Sequence, residues 1–225
     1  MIGFLRFPRL PKADRLYVRT AFLVTTIIRM ILVVAVVSSV WQREWFTLFL
    51  SFSTFVLTFL PALIKRNYYI TLPIELELVV IIFLFSSIFL GEVHGYYTKF
   101  WWWDLVLHCS SAIVLAFLGF MIVYSLYISR KIILDPFFVA LFSFSFALSI
   151  GALWEIVEFT VDSTLGFNMQ KSGLVDTMWD LIIDACGALV VSTAGYFYVK
   201  SGHLKGFNLL LEKFAKVNPK LFNKG

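Results

Sequence analysis

The sequence predicts an all-α fold: a polytopic membrane bundle of about six transmembrane helices with both termini cytoplasmic. Composition is the first reason. Of the 225 residues, 60% are hydrophobic and 15% charged, and the mean hydropathy is +0.87, whereas a soluble domain carries about 45–50% apolar and about 25% charged residues. The second reason is that apolar runs of the ~20 residues needed to cross a bilayer as a helix recur along the chain. The third is that basic residues gather at alternate ends of these runs. With 25 Phe and 7 Trp besides, the chain is neither disordered, nor a coiled coil, nor an ordinary soluble enzyme, and no stretch is left for a separate soluble domain.

Residues 1–16 form a basic N-terminal segment, expected in the cytoplasm. Six apolar segments follow within a transmembrane domain of residues 17–199: 17–40, 45–64, 70–91, 101–128, 136–161 and 175–199. Their length and lack of alternation favour helices over barrel strands, because a helix satisfies its own backbone in lipid. The first run is interrupted by Arg29 and ends in Val-Trp-Gln-Arg. It therefore reads as a retained span and not as a cleavable signal peptide.

Arg6, Arg9, Lys12, Arg15 and Arg19 lead into span one, Lys65 and Arg66 follow span two, and Arg130 and Lys131 follow span four. Six lysines lie between Lys200 and Lys224, while the other three loops hold Arg43, Lys99 and Lys171, one each. Fifteen against three is a positive-inside pattern, which places both termini in the cytoplasm of a multi-pass protein of the cell (inner) membrane. Trp41, Trp45, Tyr96, Tyr97 and Trp101–Trp103 fall near the opposite face, as an aromatic belt does. The net charge of +5 is thus a topology signal, and nucleic acid is not an expected partner; membrane lipid is. In residues 200–225, Phe207, Leu210, Leu211, Phe214 and Val217 recur at helical spacing between lysines, which reads either as an amphipathic helix on an anionic leaflet or as a basic tail that only enforces topology. Cys109 and Cys186 both lie within apolar runs and read as packed small hydrophobes.

The acids are the functional signal. Eight of the fourteen Asp and Glu residues belong to the outer halves or outer ends of spans three to six: Glu92, Asp104, Glu155, Glu158, Asp162, Asp176, Asp180 and Asp184. His94 and His108 join them. An ionisable group within a span costs roughly 2.5–3.5 kcal/mol on insertion scales, so such groups are functional candidates by default. Asp104 and His108 lie within about 40° on one helix, and Glu155, Glu158 and Asp162 within about 60° on the next. Asp176, Asp180 and Asp184 drift over about 80° on the last. Three helices each present one acidic stripe at similar depth.

Like charges this close require a positive charge in low dielectric, and no Lys or Arg stands in the outer halves of spans four to six. A divalent ion supplies it, held as in helical di-metal bundles by carboxylate and imidazole. The expected ligands are Asp104, His108, Glu158, Asp180 and Asp184, with His94, Asp162 and Asp176 as outlying candidates. Oxygen donors favour Mg²⁺, Mn²⁺ or Ca²⁺, and histidine admits Zn²⁺ or Fe²⁺. Asp162 and Asp176 also read as solvated helix-end groups, with Asp176 a possible cap, and Glu92 as a solvated loop residue. The side chains of His108, Glu158 and Asp180 are expected to approach within about 4–5 Å. Spans four and six also open alike, Trp103-Asp104-Leu-Val-Leu-His108 against Trp179-Asp180-Leu-Ile-Ile-Asp184, which as a repeat pairs His108 with Asp184.

Asp104-x-x-x-His108, Trp154-Glu155-Ile-Val-Glu158-Phe159 and Asp176-Thr-Met-Trp179-Asp180-x-x-x-Asp184, followed by Gly187-Ala188, resemble the motifs of the YjdF-like family of bacterial inner-membrane proteins and, more distantly, the VanZ-like proteins. The likeness covers roughly residues 90–190, including the polar lead-in at Gln170 and Gly173. It departs from the family pattern in an Asp176-to-Asp180 spacing one residue longer, and from VanZ-like proteins in having Glu158 and Asp184 where they have Gln and Asn. The resemblance implies the site and no particular reaction.

The leading reading is a metal-dependent hydrolase or phosphotransferase acting on a lipid or polyprenyl phosphate, with Glu155 or Glu158 as general base. A cation- or proton-coupled transporter, and a structural or assembly protein whose metal only ties helices, are the alternatives. The basic asymmetry makes a direct prediction. Labelling from outside the cell tags a cysteine at position 171 and misses one at position 131; the reverse pattern inverts the topology.

Overall fold

A computed structural model describes residues 12–68, 71–128, 133–166, 168–201 and 205–219. Arg6, Arg9, Arg130, Lys131, His203, Lys220 and Lys224 lie outside the described residues, as do both chain ends. Among the described residues there are helices and no strands. The chain divides into two compact units, Met1–His94 and Gly95–Gly225.

In the first unit, α1 (Lys12–Gln42) packs against α2 (Trp45–Leu57), and α3 (Leu60–Tyr68), α4 (Ile74–Leu84) and a π-helical stretch (Phe85–Val93) complete it. The second expected span is broken. Pro61 has no N–H and its ring crowds the preceding turn, so α2 and α3 meet at a 43° bend. Arg29 of α1 fills the break: its Nε donates to Thr58 Oγ1 at 3.1 Å and an Nη to the Thr58 carbonyl at 3.0 Å. Its guanidinium lies 4.0 Å from the centre of the Phe59 ring. A polar group freed in an apolar setting thus finds a donor, and this mid-span arginine is held by protein. Ile28, Leu32, Ile81 and Phe89 form the apolar core of this unit.

The second unit comprises the short α5 (Tyr96–Lys99), then α6 (Trp103–Ile128), α7 (Pro136–Leu165), α8 (Leu174–Ser201) and α9 (Lys205–Val217). Asp135 caps α7, accepting from Phe137 N at 2.8 Å with Pro136 in the first helical position. Helices α6, α7 and α8 pack mutually. Apolar lipid gives helices no hydrophobic reason to associate, so small residues that admit close approach carry the packing. On α7 the buried face is Val139, Ser143, Ala147, Gly151 and Glu155, one residue every four. On α8 it is Asp180, Asp184, Gly187, Ala188, Val191, Ser192 and Gly195. A Cβ at Gly187 would stand 3.0 Å from the Cys109 carbonyl and 3.1 Å from the Ala112 Cβ of α6, so glycine sets that spacing. The opposite faces, with Phe142, Trp154, Phe159, Trp179 and Val190, are exposed and apolar, as lipid-facing surfaces are.

Among the described residues, four helices are long and apolar enough to cross a membrane, and the bent α2–α3 pair raises the number to five. The expected six runs all appear as helices at their expected places, but α8 is not among those that qualify by length and composition. Both cysteines are free; Cys109 is half-buried, and Cys186 is exposed on α8 and so not packed as expected. In α9, Leu211 and Phe214 are buried while Leu209 and Val217 are exposed. The side chain of Phe207 lies outside the described residues. Overpacking the α6–α8 seam should cost about 1–3 kcal/mol. Gly187→Val is therefore expected to lower the melting temperature in detergent clearly, and Cys186→Val, one residue away on the exposed face, to leave it unchanged.

Candidate functional site

The small-residue stripes of α7 and α8 end in ionisable groups, and so does the matching face of α6. Glu155 on α7, Asp180 and Asp184 on α8 and His108 on α6 thus lie on the faces that pack the bundle, and helix packing brings them together. His108 is at the centre and is 8% exposed. Its Nε2 faces Asp104 Oδ1 at 3.9 Å, Glu155 Oε1 at 3.7 Å and Asp180 Oδ2 at 3.9 Å. Its Nδ1 faces the Asp184 carboxylate, with Oδ1 at 3.3 Å and Oδ2 at 3.4 Å. One ligand atom each from Asp104, His108 and Asp180 lies within 4.8 Å of the others.

Two features make this more than a cluster of acids. Glu155 is 4% exposed, and neither of its carboxylate oxygens has a hydrogen-bond partner. A buried group of this kind normally finds one, since leaving it unsatisfied costs about 1–3 kcal/mol and more when charged. Second, the two faces of His108 differ. A carboxylate at Nδ1 with Nε2 turned to a group of oxygen donors is the arrangement in which second-layer acids orient metal-binding imidazoles. Gly151 makes room for it, because a Cβ there would collide with Asp184 Oδ2.

Around the centre the chain builds a clasp. Gly166 ends α7 in the left-handed region (φ 71°), which reverses the backbone at little cost. Asp162 then holds the returning loop, accepting from Met169 N at 2.7 Å and Gln170 N at 2.8 Å. The Gln170 side chain donates to Thr177 Oγ1 at 2.7 Å and to the Glu155 carbonyl at 3.4 Å. Lys171, on the same loop, places Nζ 2.6 Å from Asp104 Oδ2 and 4.5 Å from the centre of the Tyr97 ring.

Of the expected ligands, Asp104, His108, Asp180 and Asp184 come together. Glu158 does not join His108 and Asp180: it is half-buried and accepts a 2.8 Å hydrogen bond from Trp154 Nε1. Glu155, expected only as a base, stands in its place, because the buried face of α7 runs through 147, 151 and 155. Asp162 braces the loop. Asp176 is half-buried in the first turn of α8 and is not its cap, since the helix begins two residues earlier at Leu174. His94 belongs to the first unit, where its Nδ1 is 3.2 Å from the Phe89 carbonyl. The repeat's pairing of His108 with Asp184 is present. Lys171 was legible only as a loop charge; its role as the partner of Asp104 carries no sequence signal, and neither does the clearance at Gly151.

Fold and site together define a helical membrane protein with a buried His–carboxylate cluster among its packed helices. The chain belongs to the family described as "Predicted membrane protein (DUF2238)", which matches residues 23–201. It is also 35% identical over 127 residues to a Thermotoga maritima protein named "Uncharacterized protein". That alignment takes in 50% of this chain and 59% of the relative's length. No solved structure matches.

The clasp and the cluster respond differently to neutralisation. Asp162→Ala removes two charge-assisted bonds to backbone amides and is expected to lower stability by about 1–2 kcal/mol. Glu155→Gln removes an unpartnered buried carboxylate and is expected to leave the protein at least as stable as wild type. Melting of both variants in chelator-treated detergent solution checks this.

Proposed function

We propose that this protein is a six-span enzyme of the cytoplasmic membrane, with N- and C-termini inside, that uses a divalent cation to act on a phosphoryl group carried by a lipid or polyprenyl chain. In this reading α8 is the sixth span, α9 lies on the anionic inner leaflet, and the cluster faces the outer leaflet. The observation that carries it is the two-faced His108, held at Nδ1 by Asp184 and presenting Nε2 to Asp104, Asp180 and the unpartnered Glu155.

Asp104, His108 and Asp180 are the ligands, with Asp184 orienting the imidazole. The donor set is mostly oxygen, which suits Mg²⁺ or Mn²⁺ and admits Ca²⁺ or Zn²⁺. Such an ion polarises a phosphoryl oxygen and lowers the pKa of bound water. Glu155, at the edge of the same group, is placed either to complete the ligand set or to take a proton from the attacking water. Glu158, fixed by Trp154, is the outer of the two glutamates and serves as an alternative base. The carrier reading finds less support. Ser143 and Ser192 on the packed faces donate their hydroxyl protons to the helix carbonyls of Ala116 and Leu189 and so serve the packing.

An ion that binds only the folded state raises stability by mass action, about 2.7 kcal/mol at a hundredfold excess over Kd. Chelation is therefore expected to lower the melting temperature at neutral pH, and Mn²⁺ or Mg²⁺ to restore it. Asp180→Asn should abolish the response, and Glu92→Gln should keep it. The response should fade on acidification, because protons compete for carboxylate and imidazole ligands. Purified protein without bound metal, whose melting ignores chelator and added Mg²⁺, Mn²⁺ and Zn²⁺, would refute the reading.

A further inference from the structure

Lys171 stands between the cluster and the surrounding medium. Its partner Asp104 is divided: Oδ2 takes the ammonium at 2.6 Å, while Oδ1 faces His108 Nε2 at 3.9 Å. The Lys171 side chain is 29% exposed, against 3% for Asp180 and Asp184. Its loop is not free to wander, since Asp162 grips the two preceding amides and Gln170 ties it to α7 and α8. The ammonium is thus delivered to one oxygen of one ligand, at the accessible edge of the site.

The charges explain what it does there. Four carboxylates, from Asp104, Glu155, Asp180 and Asp184, face one imidazole and this one ammonium. A divalent ion at Asp104, His108 and Asp180 would supply the missing charge and repel the neighbouring ammonium. Asp104 would turn to the ion, and Lys171 would be left next to it with no counter-charge. An oxygen of a phosphoryl group held by such an ion would then be a counter-charge within its reach, and a second cation on such oxygens is the usual device for binding and stabilising them.

We infer that Lys171 is a displaceable cation, which holds Asp104 while the site is without metal and, once metal binds, passes to the phosphoryl oxygens of the substrate. This rests on the metal reading proposed above. It also provides the phosphate-binding cation that the acidic stripes lack.

The test titrates Mn²⁺ into the full chain in detergent, following the free ion by electron paramagnetic resonance, for wild type, Lys171→Gln and Lys171→Arg. Each is measured alone, with inorganic phosphate, and with phosphatidic acid in mixed micelles. Removing the competing ammonium is expected to tighten Mn²⁺ binding about three- to tenfold in Lys171→Gln. Phosphoryl ligand is expected to strengthen Mn²⁺ binding in wild type and Lys171→Arg, and not in Lys171→Gln. A response to both ligands assigns the phosphoryl group itself, and a response to phosphatidic acid alone assigns a lipid headgroup; either supports the inference. Equal Mn²⁺ affinity of wild type and Lys171→Gln would overturn it and leave the metal site standing. An equal phosphoryl effect in both, or none in wild type, would overturn the anion role. Failure of every variant to bind Mn²⁺ would overturn the metal reading and this inference with it.

Discussion

Everything in the second unit is arranged around one electrostatic constraint: four carboxylates share the buried end of a three-helix seam with a single imidazole. In low dielectric their mutual repulsion is large, and a polar group there without a partner is costly. The surrounding structure answers residue by residue. Asp184 takes the Nδ1 side of His108, Lys171 takes one oxygen of Asp104, and Asp162 turns away to hold the loop that carries Lys171. Glu155, 4% exposed, receives no hydrogen bond on either oxygen, and Asp180 faces only the His108 imidazole at 3.9 Å. The compensation is incomplete on the Nε2 face of the histidine, where both of these carboxylates lie.

The same constraint shapes the packing. For carboxylates on three helices to meet, the helices must approach closely, and their contact faces are accordingly made of Gly, Ala and Ser. Gly187 lets α8 lie against the α6 backbone, and Gly151 gives the Asp184 carboxylate its space on α7. Buried hydroxyls stay neutral in this scheme. Ser143 donates to the Ala116 carbonyl at 2.7 Å, a helix-to-helix bond of the kind that favours association in lipid. The first unit meets a related demand with a cation: the Thr58 carbonyl, at the α2–α3 break, is taken by Arg29. In both units, a polar group in an apolar bundle is tolerated where a neighbouring helix answers it.

The division between the two glutamates of α7 shows how narrow the geometric choice is. Glu155 and Glu158 are three residues apart, about 60° around the helix. That angle separates the packed face from its flank, where Trp154 supplies an indole N–H to Glu158. One carboxylate is satisfied and accessible; the other is buried and unpartnered. They are suited to different tasks although their sequence context is nearly the same.

By itself the sequence determined the class of the protein: a membrane protein of helical runs, with ionisable residues concentrated on three of them. Hydropathy and charge position are local properties of the chain, so the helices, the stripe faces of Asp104 and His108 or Asp180 and Asp184, and the pairing of His108 with Asp184 from the Trp-Asp repeat were all legible. The break at Pro61 shows only as a proline within an apolar run, and Arg29's partner across it shows not at all. What the tertiary structure alone decided is which acid of each stripe points inward. Periodicity places Glu155, Glu158 and Asp162 on one 60° arc, but only the packing of Val139, Ser143, Ala147 and Gly151 against neighbours selects Glu155 from it. Likewise Lys171 belongs to a loop, where no periodicity constrains the side chain. Its place at Asp104 depends on a turn at Gly166 and two amide bonds to Asp162, contacts between residues that only the folded chain brings into reach.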